Sequence, residues 1–164
     1  MNVYSMISSP LGPITIQANS EGILGLWFET CTTKPEILGE HDQENPLLQE
    51  CTKQLTEYFA LQRQQFNLPL AAQGTPFQQA VWHALTLVPF GETCSYQDIA
   101  TAIGKPRAVR AAGAANGKNP VSIIVPCHRV IGKNGKLTGY AGGVERKQKL
   151  LEIEGIQLSV DKKL

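Results

Sequence analysis

The sequence predicts an α+β fold: a small three-stranded antiparallel sheet with one helix, followed by a mostly helical second half. Three observations carry this. Strand-like runs separated by short turn clusters fill the first 29 residues. From Pro46 onward, apolar residues recur at helical spacing behind recognisable cap signals. Between the halves, "NLPLAAQGT" punctuates the chain, so domains are expected at 1–72 and 75–164.

Taken in order, "NVYSMI", "ITIQAN" and "ILGLWFE" are the three strands. The turn clusters Ser8–Gly12 and Asn19–Gly22 between them are too short for anything but antiparallel hairpins. Leu47, Leu48, Cys51, Leu55, Tyr58 and Phe59 then share one face of a helix over 46–60. Cys51 therefore reads as core, and Cys31 as a loop thiol of no evident role. In the second half, Thr75 caps a helix with Pro76 at its first position and Gln78 completing a capping box. Phe77, Ala80, Val81, Ala84, Leu85 and Val88 form its apolar stripe, and His83 falls off it onto the surface. Ser95 caps a helix through Ile103, Gly104 ends it, and Lys105-Pro106 turns the chain into a second helix from about Arg107 to Asn116. That is a helix-turn-helix pattern. Val121 to Val125 reads as a buried strand running into a bend at Pro126.

Length and composition admit one well-buried domain or two small ones. The chain has 164 residues, of which 42% are hydrophobic and 18% charged. No apolar run approaches a membrane span and no leader pattern opens the chain, so a soluble, cytoplasmic protein without a membrane partner is expected. Four cysteines without C-x-x-C spacing, beside three histidines, predict free thiols and no zinc or other metal site. The net charge of +1 hides an asymmetry. Residues 1–74 hold three basic and eight acidic side chains, residues 75–164 twelve basic and six acidic. From Lys105 to Lys149 there are ten basic residues and one acid, Glu145. Such a patch is the footprint of a nucleic-acid partner, or else a solvated charged face.

The second helix of the pair is almost all alanine and glycine apart from Arg107, Val109 and Arg110. Small residues serve close packing against a core, and equally close approach to another surface, such as a minor groove about 6 Å wide. Base-reading side chains are missing, which fits contact through phosphates and shape. Next, "VPCHRVIG" sets a thiol, an imidazole and a guanidinium in a row at the bend. A thiolate is the nucleophile, and an imidazole held by a carboxylate can activate it. Neighbours on a strand point to opposite faces, so Cys127 and His128 need a bend or a bridging water to communicate. Glu154, in "LLEIEG", is a candidate orienting acid. Arg129 is expected to hold the bend internally.

"VPCHRVIG", the preceding "NP", then "TGYAGG" and "LLEIEG", in this order, resemble the 6-O-alkylguanine-DNA alkyltransferases. The resemblance runs nearly continuously from "GTPFQQAVW" to "LEIEG"; the first half matches in size and strand–helix character only. It implies a ribonuclease H-like first domain and a winged-helix, helix-turn-helix second domain. It implies that Cys127 takes an alkyl group from a flipped 6-O-alkylguanine, and more weakly from 4-O-alkylthymine, in the minor groove of duplex DNA. His128, oriented by Glu154 and acting through a water, would be the base, and Tyr96 would donate to the leaving guanine. Arg110 would enter the base stack, with Ala111, Ala112, Gly113, Ala115 and Asn116 along the DNA-facing helix. Asn119 would be the hinge, Tyr140, Ala141 and Gly142 the loop over the base, and Val130 and Lys147 neighbours of the pocket. Some members carry proline where this chain has Ser122, so a roomier pocket and repair of ethyl and larger adducts are expected. The thioether is not hydrolysed, so a single turnover without cofactor is implied, by a monomer able to bind side by side on DNA. Three rivals are weaker. A non-catalytic damage binder would lack Cys127, a transcription factor would need base-reading side chains, and a thiol peptidase leaves the basic span unexplained.

Overall fold

The computed structural model describes residues 1–132, 134–135 and 137–157. Strands β1 (Val3–Ile7), β2 (Ile14–Asn19) and β3 (Gly22–Phe28) form the expected antiparallel meander. A two-residue strand, β4 (Glu40–His41), adds in parallel to the free edge of β1, giving the order β3-β2-β1-β4. Two residues are too few to show alternation, which is why the sequence does not announce it. Helix α1 (Pro46–Phe59) lies against β1 and β2. Asn45 caps it, accepting from the Leu47 and Leu48 amides at 3.0 and 3.1 Å.

Helix α2 (Pro76–Thr86) starts with the expected Thr75–Gln78 capping box. A short strand, β5 (Cys94–Ser95), leads into α3 (Tyr96–Ala102), where Ser95 and Asp98 form a second box. Gly104, at φ 78°, takes the left-handed conformation that ends α3. Gln97 Nε2 donates to Pro106 O at 2.8 Å and fixes the turn. Helix α4 (Val109–Gly117) starts two residues later than the sequence implies. A 3₁₀ turn (Cys127–Arg129), strand β6 (Val130–Ile131) and helix α5 (Val144–Ile153) complete the described elements. β6 pairs in parallel with β5, Cys94 opposite Val130. The mixed α+β class is as expected, and the last residues of the region expected at 75–164 lie outside the described ones.

The run Val121–Val125 is a compact turn, contrary to the expected strand. Only Val121 bridges to a strand residue, Leu26. After the Ser122 amide, which donates to Leu26 O, the chain closes locally: Ile124 donates to Ser122 O at 2.8 Å, Val125 to Val121 O at 3.1 Å, Cys127 to Val125 O at 2.8 Å. Ile123 sits at φ 71°, a costly conformation for a β-branched residue. Its side chain is buried, so packing offsets a strain on the order of 1–3 kcal/mol. The bend is thus stored in the backbone just before Cys127.

One apolar core runs through both halves, from Ile14, Leu26 and Leu55 to Val81, Leu85 and Leu150. Each fully buried side chain of this size stabilises the fold by roughly 1.5–3 kcal/mol. Backbone bonds cross the junction as well, Leu26 N to Pro120 O at 2.9 Å and Ser122 N to Leu26 O at 3.1 Å. Cys51 is core and His83 is exposed, as expected. Cys31 lies in a loop, as expected, but is buried within the shared core.

Candidate active site

Cys127 opens the 3₁₀ turn with only 3% of its surface exposed. Asn119, buried at the end of α4, organises the approach to it. Its amide nitrogen reaches Val125 O at 2.9 Å and Cys127 Sγ at 3.2 Å, and its carbonyl accepts from Val121 N at 2.9 Å. One side chain thereby ties both ends of the strained turn to the sulfur. Burial pushes the Cys127 thiol up to about 11, against the pull of the Asn119 amide and the Lys147 ammonium. At neutral pH the thiol keeps its proton, so nucleophilic attack requires a base.

His128 and Glu154 meet, as the sequence left open. Glu154 Oε2 accepts from His128 Nε2 at 2.7 Å, from Tyr58 OH at 2.7 Å and from Arg129 Nη2 at 2.9 Å. Oε1 accepts from Arg129 Nε at 2.8 Å and Gly91 N at 3.2 Å. Burial raises the Glu154 carboxyl, but the bonds from His128, Arg129 and Tyr58 outweigh it and hold the group at about 2. An ionised carboxylate only accepts, so His128 Nε2 is the donor. Burial also lowers His128, with Glu154 opposing, so the ring is neutral and its Nδ1 is the basic nitrogen. That nitrogen is buried, with no hydrogen-bond partner among the described residues. No direct bond joins it to Cys127 among the described residues. Arg129 holds the bend internally, as expected, and donates to Val88 O at 2.7 Å.

On the other side of the thiol, the Tyr96 hydroxyl bonds to Thr138 Oγ1, which accepts from Lys147 Nζ at 2.9 Å. Lys147 is fully buried on α5. Burial lowers it to about 8, against the pull of Cys127 and Cys94. Tyr140 and Ser122 lie close together, and Cys127 adds to the burial that pushes the Tyr140 hydroxyl well up. Gly142 is buried, and a Cβ there would meet the Phe28 and Tyr140 rings at 2.9 Å, so the position has no room for a side chain. Arg146 Nη1 donates to its carbonyl at 3.0 Å and to Thr30 Oγ1 at 2.7 Å, tying this loop to the first half. Val130, expected beside the pocket, is wholly buried in β6. Cys31 approaches the site from the first half, near Ser122. A cleft of about 750 Å³ lies elsewhere, between Phe66, Trp82, Phe90 and Arg129, and neither Cys127 nor Tyr96 lines it.

Helix α4 divides cleanly into two faces. Arg110, Ala111, Ala114 and Gly117 are exposed, whereas Ala112, Ala115 and Asn116 are buried. The expectation that these last three face DNA is corrected. Ala115 O takes the Trp82 indole N–H at 2.9 Å, which turns that face onto α2. Gly113 is half-buried against Tyr96, a Cβ there lying 3.5 Å from the ring. The buried small residues thus serve close packing against the core, and the other face of the helix is left exposed. The basic span divides too. Lys105, Arg107, Arg110, Lys118 and Lys149 are exposed, Arg129 and Lys147 are internal, and Lys133 and Lys136 lie outside the described residues. Among the described residues, no helix is long and apolar enough to cross a membrane, and no cluster of three metal-ligating side chains occurs.

The comparisons with known proteins agree over most of the chain. Residues 2–72 match the model of the 6-O-methylguanine DNA methyltransferase ribonuclease-like domain, and residues 76–156 that of the DNA-binding domain of the same family. The chain belongs to the 6-O-methylguanine DNA methyltransferase family. It is 49% identical over 160 residues to the constitutive methylated-DNA–protein-cysteine methyltransferase of Bacillus subtilis, covering 95% of this chain and 97% of that one. Against the enzyme of the same name from Methanosarcina barkeri it is 47% identical over 151 residues, 92% and 96% of the two chains. The crystal structure of Mycobacterium tuberculosis OGT in complex with DNA superposes with a TM-score of 0.86 at 46% identity, covering 93% of this chain and 92% of that one. Sequence reasoning missed Tyr58, Thr138, Gly91 and Cys31 as neighbours of the site. Tyr58, Gly91 and Cys31 lie on segments read as core, turn or loop with no motif to mark them, and Thr138 opens "TGYAGG", where only the loop residues after it were singled out.

Proposed function

We propose that this chain repairs DNA by moving an alkyl group from O6 of an alkylated guanine onto Cys127 Sγ, once per molecule. The observation that carries the reading is the pairing of a buried, protonated thiol with a neutral imidazole whose outer nitrogen is tied to an ionised carboxylate. In the reaction, a water bonded to His128 Nδ1 takes the thiol proton and passes it to the ring, and Glu154 stabilises the resulting imidazolium. The sulfur attacks the alkyl carbon, the C–O6 bond breaks, and Tyr96 donates its hydroxyl proton to the leaving purine. The product is a thioether that water does not cleave, so the molecule is consumed.

The exposed face of α4 fits a duplex approached through its minor groove, with Arg110 standing where an extruded base leaves the stack. Extrusion costs a few kcal/mol, part of which an inserted guanidinium offsets. Lys105, Arg107 and Lys118 flank that face and suit phosphate contacts. The thiol is closed off, so Tyr140, Ala141 and Gly142 have to move outward to admit the base and then close over it. Ser122, in place of the bulkier proline, fits acceptance of methyl and larger groups. The test is stoichiometry. With lesion duplex in excess, the protein removes at most one methyl group per chain, and Cys127→Ser binds the duplex but removes none. Continued turnover, or removal by the serine variant, contradicts the reading.

A further inference from the structure

The hydrogen-bond chain at Tyr96 extends through Thr138 to Lys147, and its polarity is set by the far end. An ammonium group donates and never accepts. Thr138 Oγ1 therefore receives the Lys147 proton at 2.9 Å, which leaves its own hydrogen for the Tyr96 oxygen. With that oxygen occupied as an acceptor, the phenolic hydrogen turns away from Thr138. Lys147 is fully buried, and no carboxylate pairs with it among the described residues. A buried unpaired cation is costly to keep, so its retention asks for a reason.

We propose that Thr138 and Lys147 are positioning residues that hold the Tyr96 hydroxyl as a proton donor toward the leaving purine and resupply the proton it gives up. This rests on the alkyl-transfer reading and deepens it. As the C–O6 bond breaks, the electron pair stays on the purine, and the Tyr96 proton moves to a ring nitrogen. The phenolate oxygen takes the Thr138 hydrogen, and Thr138 takes one from the Lys147 ammonium, which ends as a neutral amine. The thiol proton meanwhile resides on His128, so charge balances: one cation is formed there and one is lost at Lys147. Burial lowers Lys147 to about 8, which favours its giving up the proton to the chain.

The distinguishing variant is Thr138→Val, which keeps the shape and the lysine while deleting the hydroxyl. Two single-turnover rates at Cys127 are compared, one with a 6-O-methylguanine duplex and one with methyl iodide, whose leaving group needs no proton. Thr138→Val is expected to slow transfer from the duplex by roughly ten- to a hundredfold while leaving the methyl iodide rate within about twofold of wild type. Thr138→Ser restores the duplex rate, since it returns the hydroxyl. Equal slowing of both reactions, unchanged transfer from the duplex, or failure of serine to rescue overturns the relay. If wild type alkylates with methyl iodide yet never takes a methyl group from the duplex, the alkyl-transfer reading itself fails, and that outcome is separate from the three above.

Discussion

Replacing Glu154 with glutamine removes the charge on which the interior of the site converges. The carboxylate accepts five hydrogen bonds, from His128, Tyr58, Gly91 and twice from Arg129. Removing one partner of a buried ion pair costs about 3–5 kcal/mol, because Arg129 is left buried without its counter-charge. Against a total stability on the order of 5–15 kcal/mol, the variant folds at pH 7 but is visibly weakened. The pH dependence gives an independent check. The folded-state carboxyl is held at about 2, below its ordinary 4.5, so the stabilisation is complete above the unfolded value and is lost as pH falls toward the folded one. That depression corresponds to about 3 kcal/mol. His128 adds a second acid-sensitive limb at higher pH. It is neutral when folded and protonates on unfolding, so stability also falls as pH drops below its ordinary 6.5. The assay is urea unfolding between pH 3 and 8, read by the fluorescence of buried Trp27 and Trp82. Wild type shows both limbs, and Glu154→Gln keeps the upper one and loses the lower. Parallel curves below pH 4.5, or a loss at pH 7 no larger than the ~1 kcal/mol of an exposed pair, would refute the reasoning.

Three further outcomes follow from the same geometry. Asn119→Ala strips the amide from Cys127 Sγ, so the thiol rises further and the pH midpoint of its alkylation moves up; an unmoved midpoint contradicts the contact. Trp82→Phe removes the indole donor from the buried Ala115 carbonyl, which keeps the Lys118 amide, and lowers stability by about 0.5–1.5 kcal/mol in urea, while a neutral effect would show the bond to be dispensable. Arg110→Ala slows transfer from duplex DNA far more than transfer from free 6-O-alkylguanine, because only the duplex requires extrusion. Duplex affinity also falls with salt in proportion to the phosphates contacted, and a salt-independent affinity would exclude the exposed cations of α4 from the interface.

What the sequence made legible follows the range of the forces involved. Caps and apolar stripes are local, so Thr75, Ser95 and the bounds of α1 and α2 could be read within a residue or two. The Cys127–His128 step was visible because its chemistry is contiguous. Glu154 could be named only as a candidate, since its approach to His128 depends on the packing of α5 against the 3₁₀ turn. The error at Val121–Val125 has a specific cause. An apolar run of β-branched residues has strand propensity, and nothing local reports that Ile123 is forced to positive φ by the core around it. The two faces of α4 misled in another way, because alanine carries no label for inside or outside. Only the Trp82 bond decides that Ala115 is inward and Arg110 outward. Thr138 lies in "TGYAGG" beside the loop read as covering the base, and its bonds to Tyr96 and Lys147 cross three elements that no periodicity connects.

The central claim is that Cys127 itself becomes alkylated. Its most direct test is the intact mass of the protein after incubation with a duplex carrying one 6-O-methylguanine, followed by peptide mapping. A gain of one methylene, confined to the peptide containing Cys127 and never exceeding one per chain, is the predicted result. An unchanged mass with lesion binding retained, or a gain that maps to Cys31, Cys51 or Cys94, would contradict it.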